Sequence, residues 1–301
     1  MIKVSLSDTW KTLSVYSKKD KKCKLTNRIV TASEQETQLA IAHFTEGKKG
    51  KFSYKCYRDP AIKELLIKEF SDKCAYCETD TSAGASYDTE HFRPKNLIIL
   101  DNGQKVEPGY YWLGSDWNNL LLSCQYCNRA KTHEFADSDD REVGGKQNFF
   151  PLSDETKRIR SHEDNIQEEE CYRLLINPSI DDPEKHFTYE NKGEIRSNTD
   201  EGKASIDVYS LNRGKLPTKR NTELLHFYNY IIDLVEALIS YRKGNLEKIT
   251  TIRRKLRSIA EELSPNAQYL GIKRYWYRQV MDDKSRQILS DFEIDLDDLA
   301  Y

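Results

Sequence analysis

The sequence predicts an α+β fold in which a small stapled core of short strands and loops is embedded in a mostly helical protein. Three observations predict it. Two C-x-x-C pairs, "CAYC" at 74–77 and "CQYC" at 124–127, are separated by 46 residues. The chain between them reads as strand and loop, with "NLIIL" and "GYYWL" as short strand candidates. From about residue 202 onward the apolar pattern turns helical.

In chain order, residues 1–58 form an N-terminal segment whose apolar alternations point weakly to strand. The core segment, 59–152, opens with a helix over 59–73, where Asp59 is the N-cap and Pro60 takes the first helical position. Ile62, Leu65, Leu66, Ile67 and Phe70 supply its apolar stripe. After the second cysteine pair, "NRAKTHEF" predicts a short helix beginning at Asn128, and 136–148 an exposed polar loop before "FFPL". Residues 153–220 are a mixed extension rich in Asp, Pro and Asn. A helical region fills 221–301: one helix over 221–243 ended by Gly244, then a basic-faced one over 245–263. "YLGIKRYWYRQVM" reads as a packed helix rimmed by long cations. The acidic end, "DFEIDLDDLAY", is either a docking strip or a solvated tail.

Composition narrows the function classes. At 301 residues the chain is long enough for a substantial core, with 38% hydrophobic and 32% charged residues. No run approaches the roughly 18 apolar residues of a membrane span, and the start lacks a secretory pattern, so a cytoplasmic location is expected. The net charge of −2 is not the basic excess of a free-standing nucleic-acid binder. Three local basic patches, 18–24, 46–52 and 213–220, read as solvated surface.

Seven cysteines without secretory features argue against a disulfide framework. Cys23, Cys56 and Cys171 read as ordinary thiols. Cys74, Cys77, Cys124 and Cys127 pair into two turns that together complete a tetrahedral sulfur site for zinc. Four sulfurs leave no open position, so this zinc is structural and chemistry needs another centre. "YDTEHFRPKN", 87–96, lies between the knuckles and gathers Asp88, Glu90, His91, Arg93 and Lys95. An imidazole with an unperturbed pKa near 6.5 suits a general base. It must be neutral to act, with a backbone carbonyl or carboxylate holding its other nitrogen.

The order Cys-x-x-Cys, Glu-His, Asn-Leu, Cys-x-x-Cys-Asn-x-x-Lys resembles an HNH endonuclease, whose ββα-metal core is a hairpin carrying the histidine and a helix carrying a metal ligand. "CAYCE", "DTEHFRPK", "YYWLGSDWNNLLLSCQYCNRAK", "FFPL", "LLINPSIDDPEKHFTYENKGEI" and "SLNRGKLPTKR" further resemble the PtuB-like nuclease subunits of Septu anti-phage systems, over roughly 59–220. The resemblance implies that Glu90 and Asn128 hold one catalytic Mg2+ or Mn2+ and that Asn119 braces the loop bearing His91. Arg93, Lys95 and Lys131 become candidates for phosphate contacts, with Arg93 and Lys131 equally readable as surface ion-pair residues. Asn128 is alternatively a helix cap and Asp88 an outer partner of the metal; His133 is a substitute ligand. The remaining histidines, 43, 162, 186 and 226, read as structural. Two departures stand out: the insert "THEFADSDDREVGGKQNF", and Glu90 where many HNH enzymes carry Asp.

The resemblance also implies partners: a nucleic acid substrate, DNA or RNA, and a PtuA-like ABC-type ATPase for which the C-terminal helices offer a docking surface. Some such systems are coupled to a retron, with its reverse transcriptase and msDNA, and the sequence leaves this open. Two readings compete with a nuclease. One is a non-catalytic zinc ribbon that recruits nucleic acid or a partner; the other is thiol–disulfide exchange by the cysteine pairs.

Overall fold

A computed structural model describes residues 1–13, 29–48, 50–135 and 138–300. The first basic patch, 18–24, lies outside the described residues. Where weak strand was expected, residues Ile29–Thr45 form helix α1. Its inward residue Glu36 explains part of the preference: the carboxylate accepts the backbone N–H groups of Lys55 at 2.7 Å and Cys56 at 3.0 Å. Helix α2 (Pro60–Glu69) follows, with Asp59 capping Ala61 N–H and Ile62, Leu65 and Leu66 buried.

The expected core is built from very short pieces. Strand β1 (Asp88–His91) is followed by a two-residue pair, β2 (Ile98–Ile99) and β3 (Lys105–Val106). "GYYWL" is not a strand, because Tyr111–Leu113 turn as a 3-10 helix. Strand β4 (Leu120–Ser123) returns antiparallel to β1, with Asp88 opposite Ser123 and His91 opposite Leu120. Helix α3 (Gln125–Asn128) comes directly after it. The class is therefore α+β, a set of two-stranded sheets among helices.

Two expectations after the second cysteine pair are corrected. Asn128 ends a helix rather than beginning one, and residues Lys131–Phe135 form β5, not a helix. Arg129 is extended (φ −97°, ψ 154°) while its guanidinium grips the Asp88 carboxylate, so the helix stops there. The expected loop contains β6 (Ser138–Gly144), antiparallel to β5. At Gly145 φ is +102°, and a Cβ would stand 2.1 Å from Arg129 O, so only glycine lets the chain pass.

The rest is α4 (Gln167–Glu170), the pair β7 (Thr188–Tyr189) and β8 (Ile195–Arg196), then α5 (Asp200–Val208). Helix α6 (Leu216–Arg242) starts earlier than its apolar pattern because Pro217 fits the first turn. Helices α7 (Lys248–Leu263), α8 (Leu270–Tyr275) and α9 (Asp283–Asp291) complete the chain. No described helix is long and apolar enough to cross a membrane.

Two apolar clusters organise these elements. One gathers Leu66, Tyr76, Phe92, Trp117, Leu121 and Phe150 around the cysteines. The other packs Phe227, Ile231, Leu234 and Leu238 of α6 against Ile259 and Leu263 of α7. The acidic end is no solvated tail: Leu296 is buried in this second cluster and Asp297 pairs with Arg278. The 213–220 patch divides: Arg213 and Arg220 are buried, 8% and 2% exposed, while Lys215 and Lys219 stay on the surface as expected.

Leu234 is fully buried between helices. Leu234→Ala is expected to lower the unfolding free energy by about 2–5 kcal/mol. Urea titration followed by circular dichroism measures it, and an unmoved midpoint would contradict this packing.

Candidate metal centre and histidine site

Four thiols converge. The sulfurs of Cys74, Cys77, Cys124 and Cys127 lie within 4.8 Å of one another, all four residues are buried, and all are free of disulfides. A tetrahedral zinc cage with Zn–S bonds of about 2.3 Å has edges of about 3.8 Å. Cys77 Sγ and Cys124 Sγ are 3.8 Å apart. The donor set and spacing fit a divalent ion of the zinc kind.

Local bonds prepare each knuckle. In the first, Glu78 N–H donates to Cys74 O at 2.9 Å with Glu78 in the left-handed region (φ 63°). Ala75 N–H donates to Leu122 O at 2.8 Å, tying that turn to β4. The second knuckle is α3 itself, carried directly by β4. Lys146, fully buried, joins it to the histidine strand. Its backbone N–H donates to Cys127 O at 2.8 Å. Its ammonium donates to Glu90 Oε1 at 2.7 Å and to His91 O at 2.9 Å.

His91 sits at the end of β1, 6% exposed. Its Nε2 is 2.9 Å from Gly114 O, an atom that only accepts, so Nε2 carries the proton. Nδ1 therefore keeps its lone pair and accepts from the Lys95 ammonium at 3.0 Å. Burial, then the positive charge of Lys95, hold the imidazole pKa well below its usual value. Burial also lowers Lys95 to about 8. The Tyr57 ring completes the pocket, edge-on to His91 at 4.5 Å and under the Lys95 ammonium at 4.3 Å. Gly114 must be glycine, because a Cβ there would stand 2.2 Å from the Tyr54 ring.

The other expected site residues separate into groups. Asn119 Oδ1 accepts Arg93 N–H at 2.7 Å, and its amide donates to Arg93 O at 3.0 Å and Leu113 O at 3.1 Å. It thereby ties the turn after His91 to the chain before β4. Asp88 and Glu90 alternate onto one face of β1, and the Asp88 charge is felt at Glu90, whose pKa burial raises. Asn128 reaches that strand through Asp88, to which its amide donates at 3.0 Å. Asp88 is thus the carboxylate that Asn128 meets, while Glu90 is matched by Lys146.

Arg93 points into the fold. It is 5% exposed, with Nε 3.1 Å from Glu169 and Nη2 2.8 Å from Glu170. A guanidinium buried between two carboxylates is committed to the fold. Lys131 is exposed at the start of β5, where its charge acts on His133. His133 is on a strand, so its helical spacing from Asn128 no longer places it as a ligand. Lys146 and Tyr57 were missed. A single lysine after two glycines, and a tyrosine outside the cysteine-bounded segment, carry no local signal of their destination.

Two outcomes test this geometry. The chain is expected to hold one zinc, and Cys124→Ser to lose it together with the cooperative thermal transition of the core, since structural zinc contributes roughly 10–16 kcal/mol. Metal analysis and calorimetry read both; full stability without metal would contradict the cage. The His91 imidazole is expected to keep its neutral-form NMR shift as pH falls through 6.5. Because the folded pKa lies below the unfolded one, stability is complete above pH 6.5 and declines as pH falls below it. Lys95→Met should move the pKa upward; titration at or above 6.5 in the unaltered chain contradicts the burial.

No protein-family model matches the chain. It is similar to the Septu protein PtuB of Bacillus mycoides (strain KBAB4), 38% identical over 176 residues, which are 58% of this chain and 54% of that protein. The Septu protein PtuB of Bacillus thuringiensis is 29% identical over 163 residues, 51% of this chain and 42% of that one. The Septu protein PtuA of Bacillus mycoides (strain KBAB4) is 26% identical over 217 residues, 71% of this chain and 26% of that protein. The chain spans about half the length of the PtuB relatives. Over somewhat more than half of its own length, then, the chain is PtuB-like.

Proposed function

We propose that this chain is a metal-dependent HNH endonuclease that hydrolyses phosphodiester bonds, acting as the effector of an anti-phage complex with an ABC-type ATPase. The observation that carries the reading is His91: a neutral imidazole pinned through Nε2–H to Gly114 O, with its Nδ1 lone pair open to a donor. A structural histidine needs no such one-sided arrangement beside a lysine.

The chemistry follows from the groups in place. A water attacking phosphorus gives its proton to His91 Nδ1 as the new P–O bond forms and the bond to the 3′ oxygen breaks. For Nδ1 to accept that proton, Lys95 must leave it, and a substrate phosphate is a better partner for an ammonium than a neutral imidazole. Asn119 keeps the turn after His91 in place, and Lys146 holds both Glu90 and the His91 carbonyl. Glu90 and Asn128 would hold the catalytic cation beside Asp88, to which Asn128 already donates; their oxygens suit a hard ion. Mg2+ or Mn2+, when bound, neutralises the phosphate and the departing oxygen.

The name PtuB among the relatives supports the Septu assignment, and the likeness to part of a PtuA protein supports a working association with that ATPase. A net charge of −2 agrees with a partner that supplies much of the grip on nucleic acid. Such an effector works in the cytoplasm, where invading nucleic acid is found. A second reading, a non-catalytic zinc ribbon, is favoured by one observation: Glu90 and His91 are both already satisfied by lysines.

His91→Ala separates the two. With the ATPase partner, Mg2+ or Mn2+ and DNA and RNA pools, cleavage by the unaltered chain is expected to fall by at least about 100-fold in the variant, with zinc content unchanged. Cleavage that survives the substitution would remove the nuclease from this site.

A further inference from the structure

Arg213 lies in the turn between α5 and α6 that composition alone assigned to the surface. It is 8% exposed, and its guanidinium rests on the sulfur cage. Nη1 is 3.4 Å from Cys127 Sγ, and Nη2 is 3.6 Å from Cys77 Sγ and 3.7 Å from Cys124 Sγ. One planar cation therefore faces three of the four sulfurs. Among the described residues it forms no ion pair with a carboxylate; its remaining bonds run to Ser210 O at 2.9 Å and Tyr209 O at 3.3 Å. The exposed Tyr126 ring lies 5.6 Å from the guanidinium carbon.

The turn is built to hold it there. Tyr209 stacks on Tyr76 of the first knuckle, centroids 3.9 Å apart and planes at 14°. Ser210 Oγ accepts Gly145 N–H at 3.1 Å, and Asn212 bonds both backbone groups of Ile195, at 2.9 and 2.8 Å. A buried charge needs a counter-charge. Four thiolates around a divalent ion leave two net negative charges, so the cage and Arg213 answer one another. Lysine would not do the same, since only a guanidinium fork reaches several acceptors in one plane.

We propose that Arg213 is a positioning residue of the metal centre: it offsets the charge of the four-sulfur cage and sets how tightly the cage retains its ion. The inference rests on the reading that a divalent ion fills the cage. Hydrogen bonds to thiolates draw electron density from sulfur and shield it from protons and alkylating reagents, and outer partners of this kind typically change metal affinity roughly 10–100-fold.

The test uses the full chain loaded with zinc, or with Co2+ as a spectroscopic probe. In Arg213→Gln, zinc release to a chelator is expected to quicken about 10-fold or more, and the sulfur-to-cobalt charge-transfer band to shift. Arg213→Lys, which restores charge without the fork, should recover part of both. Asn212→Ala loosens the same turn without touching sulfur and should leave the band in place. Folded Arg213→Gln with unaltered release and an unaltered band overturns the proposal, as does Asn212→Ala reproducing both effects. A wild-type chain that binds neither metal overturns the cage reading along with it. Should Arg213→Gln fail to fold, wild-type chain loaded with 113Cd is expected to show scalar coupling between cadmium and the Arg213 guanidinium protons. Visible protons without that coupling overturn the proposal.

Discussion

Everything in the candidate site hangs on four sulfurs brought to one point. Strands β1 and β4 are four residues each and, among the described residues, pair only with one another. An isolated two-stranded unit is marginal in water. What steadies this one is the knuckle on either side: the first donates Ala75 N–H to β4, and the second continues from β4 into α3. Lys146 then ties the second knuckle to Glu90 and His91. Loss of the cage would free both ends of the strand that carries the imidazole.

Several cations lie in or beside the interior, each of the following with a defined partner. Lys146 meets Glu90, Arg93 meets Glu169 and Glu170, Arg213 meets the cysteines, and Lys95 meets the histidine. Breaking either of the first two pairs leaves a buried charge uncompensated, which typically costs about 3–5 kcal/mol. Lys95 differs from the others. It faces a neutral acceptor, is only partly buried, and has its pKa drawn down to about 8. Its partner, unlike a carboxylate, carries no charge.

What the sequence disclosed followed the range of the interactions involved. Cysteine spacing announced the sulfur cage because both halves are local motifs. The N-cap at Asp59 and the long apolar stripes of α6 and α7 were legible for the same reason. Failures came where a distant contact decided. Residues 131–135 adopt strand because 138–144 pair with them and Asp88 stops the preceding helix at Arg129. Arg93 and Arg213 looked like surface charge because nothing nearby in the sequence reveals carboxylates or sulfurs 76 to 136 residues away. Helix α1 was read as weak strand; its anchor, Glu36, bonds to the backbone of 55 and 56.

The central claim is that the four cysteines share one metal ion and thereby hold the histidine strand in place. X-ray absorption at the zinc edge of the purified chain tests it most directly. The account predicts four sulfur scatterers at about 2.3 Å and no lighter ligand. A shell with nitrogen or oxygen donors, or cysteines found oxidised in pairs with no metal present, would contradict it.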